Sequence, residues 1–218
     1  VAVLLLSQLT GIDLTGLLGS SSGGGQANPG ASASSPIDVS MCTSGEAANT
    51  HTQCRMVSTA ESLDAVWGEQ LAAQTGTEYV KPAFHLWDGT QISSACGTAS
   101  SAVGPFYCPG DSTVYLDMSF FSQMESTLGA VDTPLAEEYI VAHEFGHHIQ
   151  NLDGTMRKVK RGTGADSSQV RLELQADCYA GVVFNQVMKD SNSPIKAVSK
   201  DDLLRIADAA RSVGDDHI

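Results

Sequence analysis

Cationic residues are scarce in this chain of 218 residues: 12 Lys and Arg stand against 25 Asp and Glu, a formal net charge of −13. A surface this acidic repels phosphate backbones, which argues against nucleic acid as a partner. No Lys or Arg falls between Lys81 and Arg157, and the short basic cluster Arg157, Lys158, Lys160, Arg161 reads as a solvated loop. Long hydrophobic runs are also missing. The opening Val1–Leu6 offers six apolar residues, whereas a membrane span needs about 20. The chain starts within that run and without an initiating Met, so it reads as cut from a longer precursor bearing a membrane anchor or signal sequence. None of the five cysteines lies in a C-x-x-C pair, which argues against a zinc ribbon. No internal repeat is visible.

What remains is enough for one sizeable domain, with 42% apolar residues to build a core. Residues 19–35 are almost entirely Gly, Ser, Ala and Pro and cannot repay their ordering entropy. Residues 1–36 therefore read as the anchor or signal remnant plus a linker, and 37–218 as the folded domain. Cys42 and Cys54 are separated by 12 positions, as are Cys96 and Cys108, in segments rich in Gly, Ser, Thr and Pro. Such loops gain from a covalent staple, so the expected bridges are Cys42–Cys54 and Cys96–Cys108, in an oxidising, extracytoplasmic compartment. The sequence also allows four reduced thiols in a cytosolic protein.

Four helices are expected. The first starts at the Ser58-Thr59-Ala60-Glu61 capping box, carries Leu63, Val66, Trp67 and Leu71, and stops at Gly76. The second runs from Pro134 to Leu152, with Thr133 as its cap and Glu137 and Glu138 favouring its dipole. The third spans 168–188 and the fourth 199–213. A β-like stretch, 112–117, lies between the first two, giving an α+β fold with a small sheet and a helical half. Val114 to Asp117 is expected to be an edge strand that pairs with an extended substrate.

The second helix contains His143-Glu144-Phe145-Gly146-His147, an H-E-x-x-H motif. Positions four apart differ by about 40° around a helix, so His143 and His147 share a face and can hold one Zn²⁺. Glu144, rotated by about 100°, stands beside the metal, where a general base for water belongs. A third ligand is expected from the next helix in Glu173. Asp177, one turn further, can accept the outer N–H of a metal-bound imidazole and fix its tautomer.

These phrases, with Cys-Gly-Thr-Ala at 96–99, Pro-Phe-Tyr-Cys-Pro at 105–109, Val-Tyr-Leu-Asp at 114–117 and Glu-Leu-Gln-Ala-Asp-Cys-Tyr-Ala-Gly-Val at 173–182, resemble the neutral zinc metallopeptidases of bacteria. The resemblance covers roughly residues 37–218. It implies a zincin-like fold, one zinc per chain with a glutamate as third ligand, a peptide or protein substrate, and a membrane anchor ahead of the domain. It also implies that family members continue beyond the segment matching Gly214-Asp215-Asp216.

The expected activity is hydrolysis of peptide bonds by water activated at Glu144. The alternative is a zinc-stabilised binding module of the same fold without turnover. Tyr107, Tyr115 and Tyr139 are each possible oxyanion donors, and the sequence does not choose among them. His148 can orient the base, donate to the oxyanion or fill a packing role. His51 and His85 read as structural, and Cys178 as a buried thiol pointing away from the metal.

Overall fold

The computed structural model describes residues 35–89, 91–123, 133–160, 164, 166–189, 199, 201–202 and 204–206. Most of the expected anchor and linker region, and much of the expected fourth helix, lie outside these residues. Within that helix, 201–202 and 204–206 are helical. Ser199 and Asp202 exchange hydrogen bonds across its start, Asp202 N to Ser199 Oγ at 3.1 Å and Ser199 N to Asp202 Oδ2 at 2.9 Å.

The described chain is α+β. In order it runs β1 (Ser35–Pro36), α1 (Gly45–Thr50), α2 (Thr52–Thr75), β2 (Ala83–Asp88), β3 (Gln91–Ser94), β4 (Gly97–Ser100), β5 (Phe106–Cys108), β6 (Thr113–Asp117), α3 (Met118–Gln123), α4 (Pro134–Leu152), a 3₁₀ turn (Met156–Lys158) and α5 (Ser168–Lys189). Four strands form a sheet in the order β1-β2-β6-β5, and β3 and β4 form a separate hairpin. β2 and β6 run parallel; the other pairs are antiparallel.

Strand β6 is central, not an edge: β2 lies on one side and β5 on the other, and all five of its residues are buried. Its alternation serves two cores. Val114 and Leu116 face the helices, packing with Met56, Leu63, Trp67, Ile140, Phe145 and Ile149. Tyr115 joins Trp87, Cys108, Ile92 and Ala99 in a second cluster. Apolar residues on both faces mark a strand covered above and below, and pairing with both β2 and β5 is what rules out an edge position.

Helix α2 begins six residues ahead of the expected start, and Ser58 lies exposed within it. The Ser58-x-x-Glu61 pattern is therefore solvent-facing helix surface rather than a cap. Met56 and Ala60 are buried on the same stripe as Leu63, Trp67 and Leu71, so the apolar periodicity extends upstream of Ser58. The expected stop holds: Gly76, at φ 73°, closes the helix with its N–H on Ala72 O.

Helix α4 spans Pro134–Leu152, with the Thr133 hydroxyl accepting from Ala136 N at 3.2 Å. Glu137 does more than favour the dipole. It is buried and forms an ion pair with Arg55, which fastens the start of α4 to α2. Both expected disulfides are present, Cys42–Cys54 and Cys96–Cys108. Cys178 is a free thiol but is exposed, not buried. It lies on the α5 flank away from Ala176, Ala180 and Val183, the three buried residues of that helix. No helix among the described residues is long and apolar enough to cross a membrane.

Candidate metal centre

Helices α4 and α5 bring the candidate residues together, and a glycine sets how closely they pack. At Gly146 of α4, a Cβ would lie 2.9 Å from both the Cα and the carbonyl oxygen of Ala176 in α5. Backbone against backbone at this crossing leaves room for no side chain. It places Glu173 and Asp177 of α5 beside His143 and His147 of α4.

The three expected ligand atoms form a nearly equilateral triangle. His143 Nε2 and His147 Nε2 are 3.1 Å apart, and Glu173 Oε2 is 3.2 Å from each. Bonds of about 2.0–2.1 Å to a tetrahedral zinc correspond to donor separations of about 3.3 Å. The triangle is thus close to one face of that tetrahedron.

The outer ring atoms decide which way the lone pairs point. His143 Nδ1 lies 2.8 Å from Asp177 Oδ1, a carboxylate that can only accept, so this nitrogen carries hydrogen when the ring is neutral. His147 Nδ1 lies 2.9 Å from Gln150 Oε1, an amide oxygen, with the same consequence. Both Nε2 lone pairs and one carboxylate oxygen then converge with no hydrogen among them, a donor set that suits a divalent cation. Among the described residues this is the single group of three or more His, Cys, Asp or Glu with metal-holding geometry. Glu144 follows His143 in α4 and is 4% exposed, and its charge helps raise the pKa of both His143 and His147.

The tyrosine and histidine candidates turn out to be committed elsewhere. Tyr139 donates to Asp177 Oδ1, and Tyr115 donates to Asp111 Oδ2 at 2.9 Å. His148 Nε2 donates to the Val80 carbonyl at 2.6 Å, which leaves its Nδ1 to accept from the Tyr107 hydroxyl at 3.0 Å. That hydroxyl in turn accepts from Asn151 Nδ2 at 2.8 Å. Burial lowers the His148 pKa, in keeping with a neutral ring. His148 therefore ties α4 to β5 and to the segment before β2. His51 stands at the start of α2, and His85 packs on Tyr115 in the sheet. The residue that sequence reasoning misses is Gln150. Its only signal is a polar side chain three positions after His147, on the same helix face.

Electrostatics show how the group behaves without a metal. Burial alone would depress His143, but hydrogen bonds to Asp177 and Glu173 and the Glu144 charge carry it up to about 10. Burial opposes protonation of His147 as well, and the Glu173 bond and Glu144 charge still raise it. Burial would raise Glu173, yet its two histidine bonds bring it down to about 2. Metal-free protein at neutral pH is thus expected to carry protons on this donor set, and a cation held there would release them. The sign follows for stability. The raised His143 stabilises metal-free protein fully below its ordinary 6.5, and that contribution disappears as pH climbs through about 10. We expect titration calorimetry in buffers of different ionisation enthalpy to detect proton release on zinc uptake at pH 7. The urea midpoint of chelator-treated protein should fall between pH 6.5 and 10 relative to that of zinc-loaded protein. Zinc uptake without proton release would contradict this account.

A family described as "Putative neutral zinc metallopeptidase" matches residues 1–218. The chain belongs to this family. Uncharacterized protein Rv2575 of Mycobacterium tuberculosis is 44% identical over 188 residues, 84% of this chain and 62% of that protein. Uncharacterized protein Mb2605 of Mycobacterium bovis matches to the same extent. Uncharacterized protein YpfJ of Escherichia coli K12 is 33% identical over 223 residues, 99% of this chain and 70% of that protein. The chain thus spans a little under two thirds of the mycobacterial relatives. No solved structure matches it significantly. Family membership implies zinc, and the His143, His147 and Glu173 triangle has the donors and spacing to hold it.

Proposed function

We propose that this neutral zinc metallopeptidase family member hydrolyses peptide bonds, with His143, His147 and Glu173 as zinc ligands and Glu144 as general base. The observation that carries the reading is the convergence of three lone-pair donors on one point with a buried carboxylate beside them. Bound there, zinc supplies Lewis acidity toward a carbonyl and acidifies nearby water. Glu144 accepts the proton of the attacking water and returns it to the leaving amine, so the peptide bond breaks with protons balanced. Asp177 holds the His143 ring by its Nδ1–H and is itself held by Tyr139. Three protein ligands leave a coordination position for substrate, whereas a purely structural zinc is usually closed by a fourth.

An extended peptide is the substrate class we favour. Strand β5 takes the role expected of β6: among the described residues it has one paired side, and Tyr107 pins it to α4 through His148 and Asn151. An added strand there would run alongside the metal helix and bind through its main chain. The two disulfides favour an oxidising compartment outside the cytoplasm. We propose that a membrane anchor ahead of the domain holds it there.

The test is cleavage of a quenched-fluorescence peptide library, by this chain and by a chain extended to its relatives' length. Activity should vanish on chelation and return with about one equivalent of zinc. Chelator-resistant cleavage, or inactivity of the extended zinc-loaded chain, would refute the proposal.

A further inference from the structure

We infer that Gln150 is a positioning residue of the metal centre, holding the His147 ring with Nε2 toward the metal and tying that ring to the helix that carries Glu173. This rests on reading His143, His147 and Glu173 as a metal site, but not on their serving peptide hydrolysis. Gln150 is fully buried, at 0% exposure, where amide groups need hydrogen-bond partners. Its Nε2 donates to the Leu172 carbonyl at 2.7 Å and to Gln175 Oε1 at 3.0 Å. A backbone carbonyl can only accept, so the nitrogen end of the amide must face Leu172. The oxygen end therefore faces His147 Nδ1, at 2.9 Å. That oxygen also only accepts, so Nδ1 carries the hydrogen and Nε2 keeps its lone pair. This Nε2 is the atom 3.1 Å from its His143 counterpart and 3.2 Å from Glu173 Oε2.

Leu172 and Gln175 flank Glu173 on α5, one position before and two after. A single amide thus fixes one ligand's ring orientation and the helix that delivers another. The two imidazoles are served unequally: His143 by a carboxylate, Asp177, and His147 by a neutral amide. A glutamate at 150 could accept from Nδ1–H, but its second oxygen would face the Leu172 carbonyl with no hydrogen between them. Glutamine suits both partners.

The experiment compares zinc-loaded native chain with Gln150→Leu and Gln150→Glu. Zinc affinity is read by competition with a chromogenic chelator, and the His147 Nδ1–H by long-range ¹H–¹⁵N correlation. The Leu variant should lose about 10–100-fold in affinity, the usual range for outer partners of metal-bound histidines. Its Nδ1–H signal should become exchange-broadened. Gln150→Glu should recover most of the affinity and the protected signal while melting below native protein, because the bond donated to the Leu172 carbonyl is gone. Native zinc affinity in the Leu variant, with only a lower melting temperature, would reduce Gln150 to a packing role and overturn the inference. If the Leu variant does not fold, the Glu variant decides: a folded protein with a hundredfold loss of affinity overturns it, and near-native affinity sustains it. A native protein whose His147 shows no Nδ1–H also overturns it, without any variant. Neither measurement uses turnover, so both remain decisive even if the protein proves inactive as a peptidase.

Discussion

Replacing Glu144 by Gln is expected to leave zinc content and fold unchanged while peptide hydrolysis falls by about 10²–10⁴. The side chain extends from α4 one position after His143, about 100° round the helix from it, and is not among the three converging donors. Gln keeps its size and one carbonyl oxygen but cannot take a proton at neutral pH. A loss of this size corresponds to about 2.7–5.5 kcal/mol of transition-state stabilisation, and it should appear in kcat and kcat/KM alike. Zinc analysis must accompany the kinetics, since Glu144 also contributes to the charge felt by both histidines. A small gain in zinc-free stability at high pH would be no surprise; loss of zinc would be. A binding module without turnover makes the opposite forecast, with partner affinity unchanged in the Gln variant. Wild-type rates in a zinc-loaded Glu144→Gln protein would end the general-base assignment.

The parts of the molecule legible in the sequence are those encoded locally. Helix α4 announces itself by Thr133, Pro134 and an unbroken pattern to Leu152, and the structure begins and ends it there. The ligand face follows from helical geometry alone, since His143 and His147 are one turn apart. The start of α2 is hard to place because Ser58-Thr59-Ala60-Glu61 has the composition of a cap, while Met56 and Ala60 already continue the buried stripe. A short local pattern competes with a longer apolar period, and burial favours the period. The order of strands is a tertiary fact. Val114 and Leu116 face one core and Tyr115 another, which tells that both faces are covered but not which strands lie alongside. Only pairing with both β2 and β5 reveals this. Cys178 misleads for a related reason. Its neighbours Leu172, Leu174 and Tyr179 look like core, yet Leu174 is 61% exposed and α5 buries only a narrow stripe. Gln150 is only faintly marked in the sequence, by its place three positions after His147, because its partners at Leu172 and Gln175 lie 22 and 25 positions away. Asp177 is legible because it stands one turn after Glu173, whereas the end of the Gln150 amide that meets His147 is set by its partners on α5.

That packing supplies the second large expected effect, at Gly146. In an exposed helix interior, Gly→Ala gains about 1 kcal/mol of helix stability. Gly146→Ala should do the reverse. The new methyl carbon would stand 2.9 Å from Ala176 Cα, 2.9 Å from Ala176 O and 3.1 Å from Ala176 Cβ. Two of the three are backbone atoms, which have no rotamer to change, so α5 itself must shift away from α4. Overpacking of this kind costs about 1–3 kcal/mol. The displacement falls where it matters most, because Glu173 lies one turn before Ala176 and Asp177 immediately after it. Separations of 3.2 Å from Glu173 to both imidazoles cannot survive a sliding apart of the two helices by several tenths of an ångström. We therefore expect Gly146→Ala to lower the melting temperature and to weaken zinc by at least about tenfold, comparable to losing an outer partner of a ligand. Gly181→Ala on α5 is the matched control, since its Cβ would meet nothing within 4 Å and it should be neutral or stabilising. Competition with a chelator and thermal melts on the two variants settle the matter. If Gly146→Ala binds zinc as tightly as Gly181→Ala and melts as high, close contact between the helices is not what assembles the metal centre.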